Sequence, residues 1–278
     1  MNGIYITAIS RYNSSLMKRF YTPILGALTL SFYACMAPPA VDQSGNVRVT
    51  QTSASLQARG AEEFALIKKK KKVSTNATYN AQLRRVAARL KPVINLPNAR
   101  WEFVVFDDPT PNAFALPGGK VGVHTGMFKI TQTDAGLATV VGHEIAHVTS
   151  NHVGKQQMQR LGLVLGAIAL DQVARHNGAS GGERAAIAGA YGTAATVGVA
   201  LPHSRSHELE ADRVGTIYMA KAGYDPREAV KMWKRFSAYN AKQGRNTPEF
   251  LRTHPLDSTR IRALENFMPV AMREYNRR

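Results

Sequence analysis

The chain has 278 residues, 44% of them hydrophobic, which is enough for one well-packed domain with a long lid but not for two large domains. Lysine and arginine outnumber aspartate and glutamate by 36 to 19, for a formal net charge of +17. That charge would attract anionic lipid and nucleic acid alike and does not indicate a fold, so cellular location has to decide between these partners.

The first 34 residues predict a secretory signal. Basic residues precede residues 23–33, which carry no charge, and a small residue stands before Cys35, the only cysteine. So short an apolar run is typical of a signal peptide and cannot span a membrane. The pattern resembles a bacterial lipoprotein signal, in which the cysteine takes the lipid, although Phe32 stands where such signals prefer leucine. An uncleaved anchor with an incidental cysteine is the alternative, and Met17 is an alternative start.

A lipidated Cys35 would attach the chain to a membrane. Because Met36 rather than aspartate follows it, we expect the periplasmic face of the outer membrane as the destination. The rest of residues 35–58 is rich in proline, serine, glutamine, threonine and alanine without apolar periodicity, which predicts a flexible tether. The folded domain is then expected over residues 59–278.

A run of five lysines extends from Lys68 to Lys72. Such a run is usually a solvated face or loop. On a membrane-attached chain it could also contact anionic head groups, at roughly 1 kcal/mol per lysine close to the surface. No aromatic residues interleave with the lysines, so together with the expected secretion we predict no nucleic-acid partner.

Helix and strand patterns follow along the chain. Apolar residues recur at helical spacing between Leu83 and Leu90 and predict a helix. Aromatic and β-branched residues, interrupted by proline and glycine, predict three short strands at residues 101–106, 112–116 and 120–125.

The second half of the chain is predicted to be helical. Asp134 is a good N-cap for a helix that runs past His147. Residues 161–170 and 185–201 are apolar, but the first is too short to span a bilayer and the second is marginal, so we interpret them as buried helices or a lid near the site. Residues 208–278 again have a helical pattern. The predicted fold is therefore α+β, mainly helical with one small sheet.

The most informative stretch is His143-Glu144-Ile145-Ala146-His147. On a helix the two histidines lie one turn apart on the same face, so both rings can bind one metal ion. Glu144 lies beside that face, where it can accept a proton from a water molecule that attacks a carbonyl carbon. Five-residue matches occur by chance, but the amphipathic helix around this one favours a zinc site over two ordinary surface histidines.

A catalytic zinc ion needs a third protein ligand. His152 lies one position too early for the pattern in which a third histidine follows closely, and we expect it at the surface. Glu183, Glu208 and Glu210 are the acidic candidates, with Glu183 in a predicted loop. Glu208 and Asp212 are four residues apart, so one can bind the metal while the other orients a ligating histidine. Glu210 lies about 200° from Glu208 around a helix.

Four segments resemble one family of HExxH zinc metallopeptidases: NAFALPGG at residues 112–119, GHEIAHV at 142–148, SRSHELEAD at 204–212 and THPL at 253–256. The family includes the CAAX prenyl protease, the bacterial heat-shock membrane protease and the mitochondrial inner-membrane protease Oma. The chain is most similar to its periplasmic lipoprotein branch. The resemblance implies a zincin-like domain with the sheet beside the active-site helix.

The resemblance also implies individual roles. It implies that His143, His147 and Glu208 bind one zinc ion per chain, that Glu144 is the base, and that Asp212 orients a ligand. It further implies that the second strand holds an extended substrate through backbone hydrogen bonds, at Asn112, Ala113, Phe114 and Ala115.

His254 has two interpretations, and His207 has one. His254 is either a turn residue before a proline or a group at the open zinc position, where it would assist the transition state or plug the site reversibly. His207 precedes the third ligand and is expected to be a helix-entry or surface residue.

These features favour a zinc-dependent endopeptidase that hydrolyses misfolded or extended cell-envelope proteins, in protein quality control. The alternative is a periplasmic chaperone or outer-membrane assembly factor with little proteolytic activity. The intact set of predicted ligands and base favours the enzyme.

Overall fold

The computed structural model describes residues 40–277, apart from the side chains of residues 202 and 203. The predicted signal and Cys35 lie outside the described residues. The described chain divides into a smaller compact unit, Gln156–Ser204, and a larger one formed by residues 40–155 and 205–277. Helices predominate and a single three-stranded sheet is present among the described residues, which confirms the predicted α+β class.

Residues 40–58 belong to the folded domain, so the prediction of a flexible tether is wrong over this range. Val41 pairs with Val47 in an isolated β-bridge, and Val41 is buried. Helix α1 then spans Ala54–Lys70, and the side chain of Ser53 caps its first turn. The polar composition was misleading because serine and its neighbours here form a turn and a helix cap, where such residues are favoured.

The lysine run forms the end of α1 and the residues that follow it. Three of the five lysines form ion pairs around the first strand: Lys68 with Glu102, Lys71 with Asp108 and Lys72 with Asp107. Half-exposed pairs of this kind contribute little stability. They do show that the run is an ion-paired helix end and not a patch of five free cations.

The next elements form the sheet. Helix α2 spans Ala77–Leu90 and buries the apolar face that predicted it. Strands β1 (Glu102–Phe106), β2 (Ala113–Leu116) and β3 (Lys120–His124) follow in the order β1-β3-β2. Strand β3 is central, parallel to β1 and antiparallel to β2, so β2 is an outer strand.

The central helix follows the sheet. A 3-10 turn, Thr125–Met127, and helix α3, Phe128–Thr131, lead to helix α4, Asp134–Thr149. The N-cap of α4 is Thr133, whose hydroxyl accepts a backbone N–H, so the prediction of the next residue as the cap is wrong by one position. Almost every side chain of α4 is buried, which places it at the centre of the larger unit.

The smaller unit is a helical hairpin. Helix α5 spans His152–His176 and helix α6 spans Gly181–Ala195, and a π-helical turn, Thr196–Ala200, leads on to helix α7, Leu201–Lys221. The hairpin has a small buried cluster of its own, formed by Leu163, Ala167, Leu170, Tyr191 and Ala195.

A second apolar face of α5 is exposed. The prediction that the apolar residues 161–170 form a buried helix is therefore wrong for this face. The face consists of residues at spacings of three and four, each between 49% and 67% exposed: Met158, Leu161, Leu165 and Ile168. Among the described residues, Gly181–Lys221 is the one continuous helix whose length and composition would allow it to cross a membrane. Only 18% of its most apolar window is buried.

Helices α8 (Arg227–Lys242), α9 (Glu249–Thr253) and α10 (Ser258–Asn276) complete the larger unit. In that unit α4 and α7 approach closely at two glycines. A Cβ atom on Gly215 would lie 2.8 Å from the carbonyl carbon of Gly142. Only glycine permits this approach, and the residues next to the crossing carry the candidate site.

Candidate metal centre

Four side chains bring their ligand atoms within 4.8 Å of one another: His143, His147, Glu208 and His254. Helix α4 supplies the two histidines from successive turns, α7 supplies the glutamate, and His254 follows α9. Nε2 of His143 lies 3.1 Å from Nε2 of His147 and 3.3 Å from Oε2 of Glu208. The structure thus brings together the three predicted ligands and adds His254 to them.

The charge balance of the cluster suits a cation. Burial alone would lower the pKa of His143, but the carboxylates of Asp212 and Glu208 outweigh it and raise this pKa to about 9. Burial would raise the pKa of Glu208, but hydrogen bonds with His143 and His254 hold it well below its ordinary value. The carboxylate of Glu208 is therefore an anion surrounded by imidazole nitrogens, which would favour a divalent cation between them, and this set of nitrogen and carboxylate donors fits zinc.

Asp212 and Arg260 fix the orientation of His143. Oδ1 of Asp212 lies 3.0 Å from Nδ1 of His143, which leaves Nε2 to face the ligand cluster. Arg260 donates to both carboxylate oxygens of Asp212, at 2.9 and 2.8 Å, and its side chain is only 5% exposed. A bidentate pair is strong and directional, and a partner of this kind sets the tautomer of a ligating histidine.

Glu144 is buried, and its Oε1 has no hydrogen-bond partner among the described residues. Burial is the main influence on its carboxyl group and raises its pKa. Nε2 of His254 lies 3.7 Å from Oε1, and the backbone N–H of Ala115 faces the carboxylate. A carboxylate with a raised pKa and an unpaired oxygen is suited to accept a proton.

The outer edge of β2 lies beside this carboxylate. The N–H of His124 donates to the carbonyl oxygen of Asn112 at 2.9 Å. Because an antiparallel ladder alternates, Asn112 and Phe114 direct their backbone groups toward β3, and Ala113, which is buried, and Ala115 direct theirs away from β3. A strand edge of this kind can pair with an extended peptide.

His152 and His207 are buried, and His207 lies within α7, so the surface position predicted for His152 and the helix-entry or surface position predicted for His207 are wrong. Their rings stack at 4.1 Å, and Nδ1 of His152 lies 2.8 Å from Nδ1 of His147. In a continuous helix His152 would lie about 140° around the axis from His147. Here α4 ends at Thr149 and Asn151 adopts a φ of 50°, so the chain turns and brings His152 back to His147.

The two remaining acidic candidates, Glu183 and Glu210, lie outside the ligand cluster. Glu183 closes a capping box with Ser180 at the start of α6. Glu210 pairs with Lys155 at 3.2 Å and is not part of the ligand cluster. Arg260 carries no spacing signal in the sequence, because a lone arginine in a helix resembles any other helix arginine. The signal that could have found it is its position soon after the His-Pro pair.

Two histidines one turn apart on a buried helix, a glutamate from a second helix and a buried glutamate beside a strand edge define a metalloendopeptidase of the zincin type. Comparison with known proteins identifies the family. Residues 77–268 match peptidase family M48. The chain belongs to this family and is a metalloprotease.

Curated relatives agree with this assignment. Mitochondrial metalloendopeptidase OMA1 of Schizosaccharomyces pombe is 34% identical over 192 residues, covering 67% of this chain and 52% of the relative. Mitochondrial metalloendopeptidase OMA1 of Saccharomyces cerevisiae is 33% identical over 194 residues, with 65% and 50% covered. Beta-barrel assembly-enhancing protease of Escherichia coli is 30% identical over 181 residues, with 64% and 36% covered. The chain therefore spans about half or less of the length of these relatives.

Proposed function

We propose that the chain is a zinc-dependent endopeptidase, with one zinc ion per chain, that hydrolyses extended segments of misfolded cell-envelope proteins. One juxtaposition supports this proposal most directly. The ligand cluster, the buried carboxylate of Glu144 and the backbone N–H of Ala115 on strand β2 meet at one place.

The residues of the chain divide the work of hydrolysis. His143, His147 and Glu208 would hold the zinc ion, which when bound polarises the scissile carbonyl and lowers the pKa of water to ~7. Glu144 accepts the proton of the attacking water and returns it to the leaving amine. His254 is the fourth member of the cluster and would either plug the site or, with its Nε2 3.7 Å from Oε1 of Glu144, donate a hydrogen bond to the substrate.

The outer edge of β2 would hold the substrate in register. Ala113 and Ala115 offer N–H and C=O groups at alternate positions, which matches the spacing of an extended peptide. Backbone pairing recognises an extended conformation of the substrate and depends little on the identity of its side chains. This suits misfolded proteins as the substrate class.

The variant Glu144→Gln tests the enzymatic proposal. We expect it to keep about one zinc ion per chain and to lose casein degradation, because the ligands remain while the proton acceptor is gone. Wild-type chain purified in parallel is the control for zinc content. Full activity in the variant would contradict the mechanism.

A chaperone or outer-membrane assembly factor is the second candidate. It is supported by relatives that are named beta-barrel assembly-enhancing protease. The same variant separates the two functions. Assembly of outer-membrane β-barrels in cells that carry only Glu144→Gln would favour the assembly role. Loss of that assembly along with proteolysis would favour the peptidase.

We propose the periplasmic face of the outer membrane as the location, with lipid on Cys35 as the attachment. Cys35→Ser should leave an unprocessed or mislocalised precursor, because no thiol remains to take the lipid. Normal membrane fractionation of the variant, with no mass loss on lipid hydrolysis of the wild type, would contradict this.

The exposed face of α5 supports a second contact with the bilayer. Its apolar side chains are the kind that partition into a membrane, and Asp171, the acid of α5, is neutralised by Arg175 and Arg184. In a Cys35→Ser background, Leu165→Asp should therefore lower flotation with phospholipid vesicles.

Leu66→Asp is the matched control for this test, because Leu66 is equally exposed, at 54%, but lies on α1. Equal flotation of both variants would contradict the assignment. A change in oligomeric state in place of flotation would assign the face to a second copy of the chain.

A further inference from the structure

His147 has both of its ring nitrogens engaged. Its Nε2 faces the ligand cluster, 3.1 Å from Nε2 of His143 and 3.4 Å from Oε1 of Glu208. Its Nδ1 points away from the cluster and lies 2.8 Å from Nδ1 of His152. His147 therefore has a dedicated partner on the side opposite the metal position.

The positions of the protons follow from this geometry. A histidine that binds a metal through Nε2 keeps its proton on Nδ1. In His147 that N–H donates to Nδ1 of His152, so His152 has to carry its own proton on Nε2. Nε2 of His152 lies 3.5 Å from Oε1 of Glu210, a charge contact longer than a good hydrogen bond, and Lys155 pairs with the same carboxylate oxygen at 3.2 Å.

The ring of His152 is fixed by its surroundings. It is 1% exposed and lies parallel to the ring of His207 within 13°, at 4.1 Å. The turn through Asn151 sets the position of its backbone. A ring held on two sides offers its acceptor nitrogen in one place, which is what a positioning group requires.

We propose that His152, supported by Glu210, is the positioning residue that orients His147 and fixes its tautomer for metal binding. The inference rests on the zinc site proposed above. It gives each ligating histidine its own partner: a carboxylate, Asp212, for His143, and a neutral imidazole for His147. The partner of His143 is therefore negatively charged, because Asp212 is an anion. The partner of His147 is uncharged, because His152 accepts the hydrogen bond as a neutral imidazole.

The test compares His152→Leu with His152→Asn. The two side chains are close in shape, but only asparagine offers an oxygen near the place of Nδ1. Zinc affinity, measured by competition with a chelator on the full-length protein, should fall about 10–100-fold in His152→Leu, and His152→Asn should restore it to within about threefold of wild type. With zinc saturating, kcat of the leucine variant should fall while KM stays constant.

His124→Leu is the control for loss of a buried histidine, since His124 contacts Lys71 and Asp108 away from the cluster. It should leave zinc affinity unchanged. If His152→Leu does not fold, Glu210→Gln replaces it, with an expected weakening of a few fold, about 2–10.

The outcomes separate two failures. Folded His152→Leu that binds zinc as tightly as wild type, or equal weakening by leucine and asparagine, would overturn the positioning role. In the fallback case, unchanged affinity in Glu210→Gln would overturn it. Wild-type protein that binds no zinc at all would overturn the proposed function itself.

Discussion

The crossing of α4 and α7 can be tested with Gly215→Ala. The added Cβ would lie 2.8 Å from the carbonyl carbon of Gly142 and from the backbone nitrogen of His143, where ordinary contact begins at 3.4 Å. Backbone atoms cannot rotate away, so the helices have to separate by about 0.6 Å. Overpacking of this kind costs about 1–3 kcal/mol. Alanine returns about 0.8–1 kcal/mol through its higher helix propensity, so we expect a net loss of up to about 2 kcal/mol.

The same separation should weaken the metal site. Metal–ligand distances tolerate about 0.2 Å, and the two helices carry His143 and Glu208. We therefore expect urea unfolding and chelator competition to show losses of stability and of zinc affinity together. Gly192→Ala is the control, because its Cβ would meet no atom within 4 Å, and it should lose neither. Wild-type stability and zinc affinity in Gly215→Ala would refute the reasoning.

Three further predictions concern charged groups. Glu208→Ala should lose zinc and proteolysis together, whereas Glu210→Ala should keep zinc at reduced affinity. The zinc content of both variants is measured after dialysis, and a Glu210→Ala protein with less zinc than Glu208→Ala would contradict the ligand assignment. Arg260→Met removes the buried cation that pairs with Asp212 and Glu208. It leaves only His143 beside the carboxylate of Asp212, so it should lower the unfolding free energy in urea by about 3–5 kcal/mol, whereas a loss below about 1 kcal/mol would contradict this. Burial lowers the pKa of His124 below 6.5, so the unfolding free energy should fall as the pH drops below 6.5; His124→Gln should remove this part of the fall, and an unchanged pH profile would count against it.

Local patterns were sufficient to predict the sheet and the helix that carries the two histidines. Residues 101–125 alternate in hydrophobicity and are interrupted by proline and glycine, and these signals act over a few neighbouring residues. The spacing of His143 and His147 defines one helix face in the same way. The strands and the central helix therefore lie within one or two residues of their predicted bounds.

Predictions that depended on tertiary packing were wrong or were not made. His152 was assigned to the surface because a continuous helix was assumed, and the turn at Asn151 invalidates that assumption. Arg260 reaches Asp212 across 48 positions of the chain, a distance at which no periodicity applies. Residues 40–58 show the same problem, since polar composition does not distinguish a tether from turns and a helix cap packed on the domain.

The outer edge of β2 would make the state of folding itself the criterion of selection. A folded protein pairs most of its strand backbone and protects the strand edges that remain, so it offers few unpaired rows of N–H and C=O groups to Ala113 and Ala115. A segment becomes available only when it opens locally, and the free energy of opening varies widely across one structure. The cleavage rate of a client would then follow the fraction of time that its weakest segment is open. Such a protease would rank its clients by their stability, with no need to recognise a sequence.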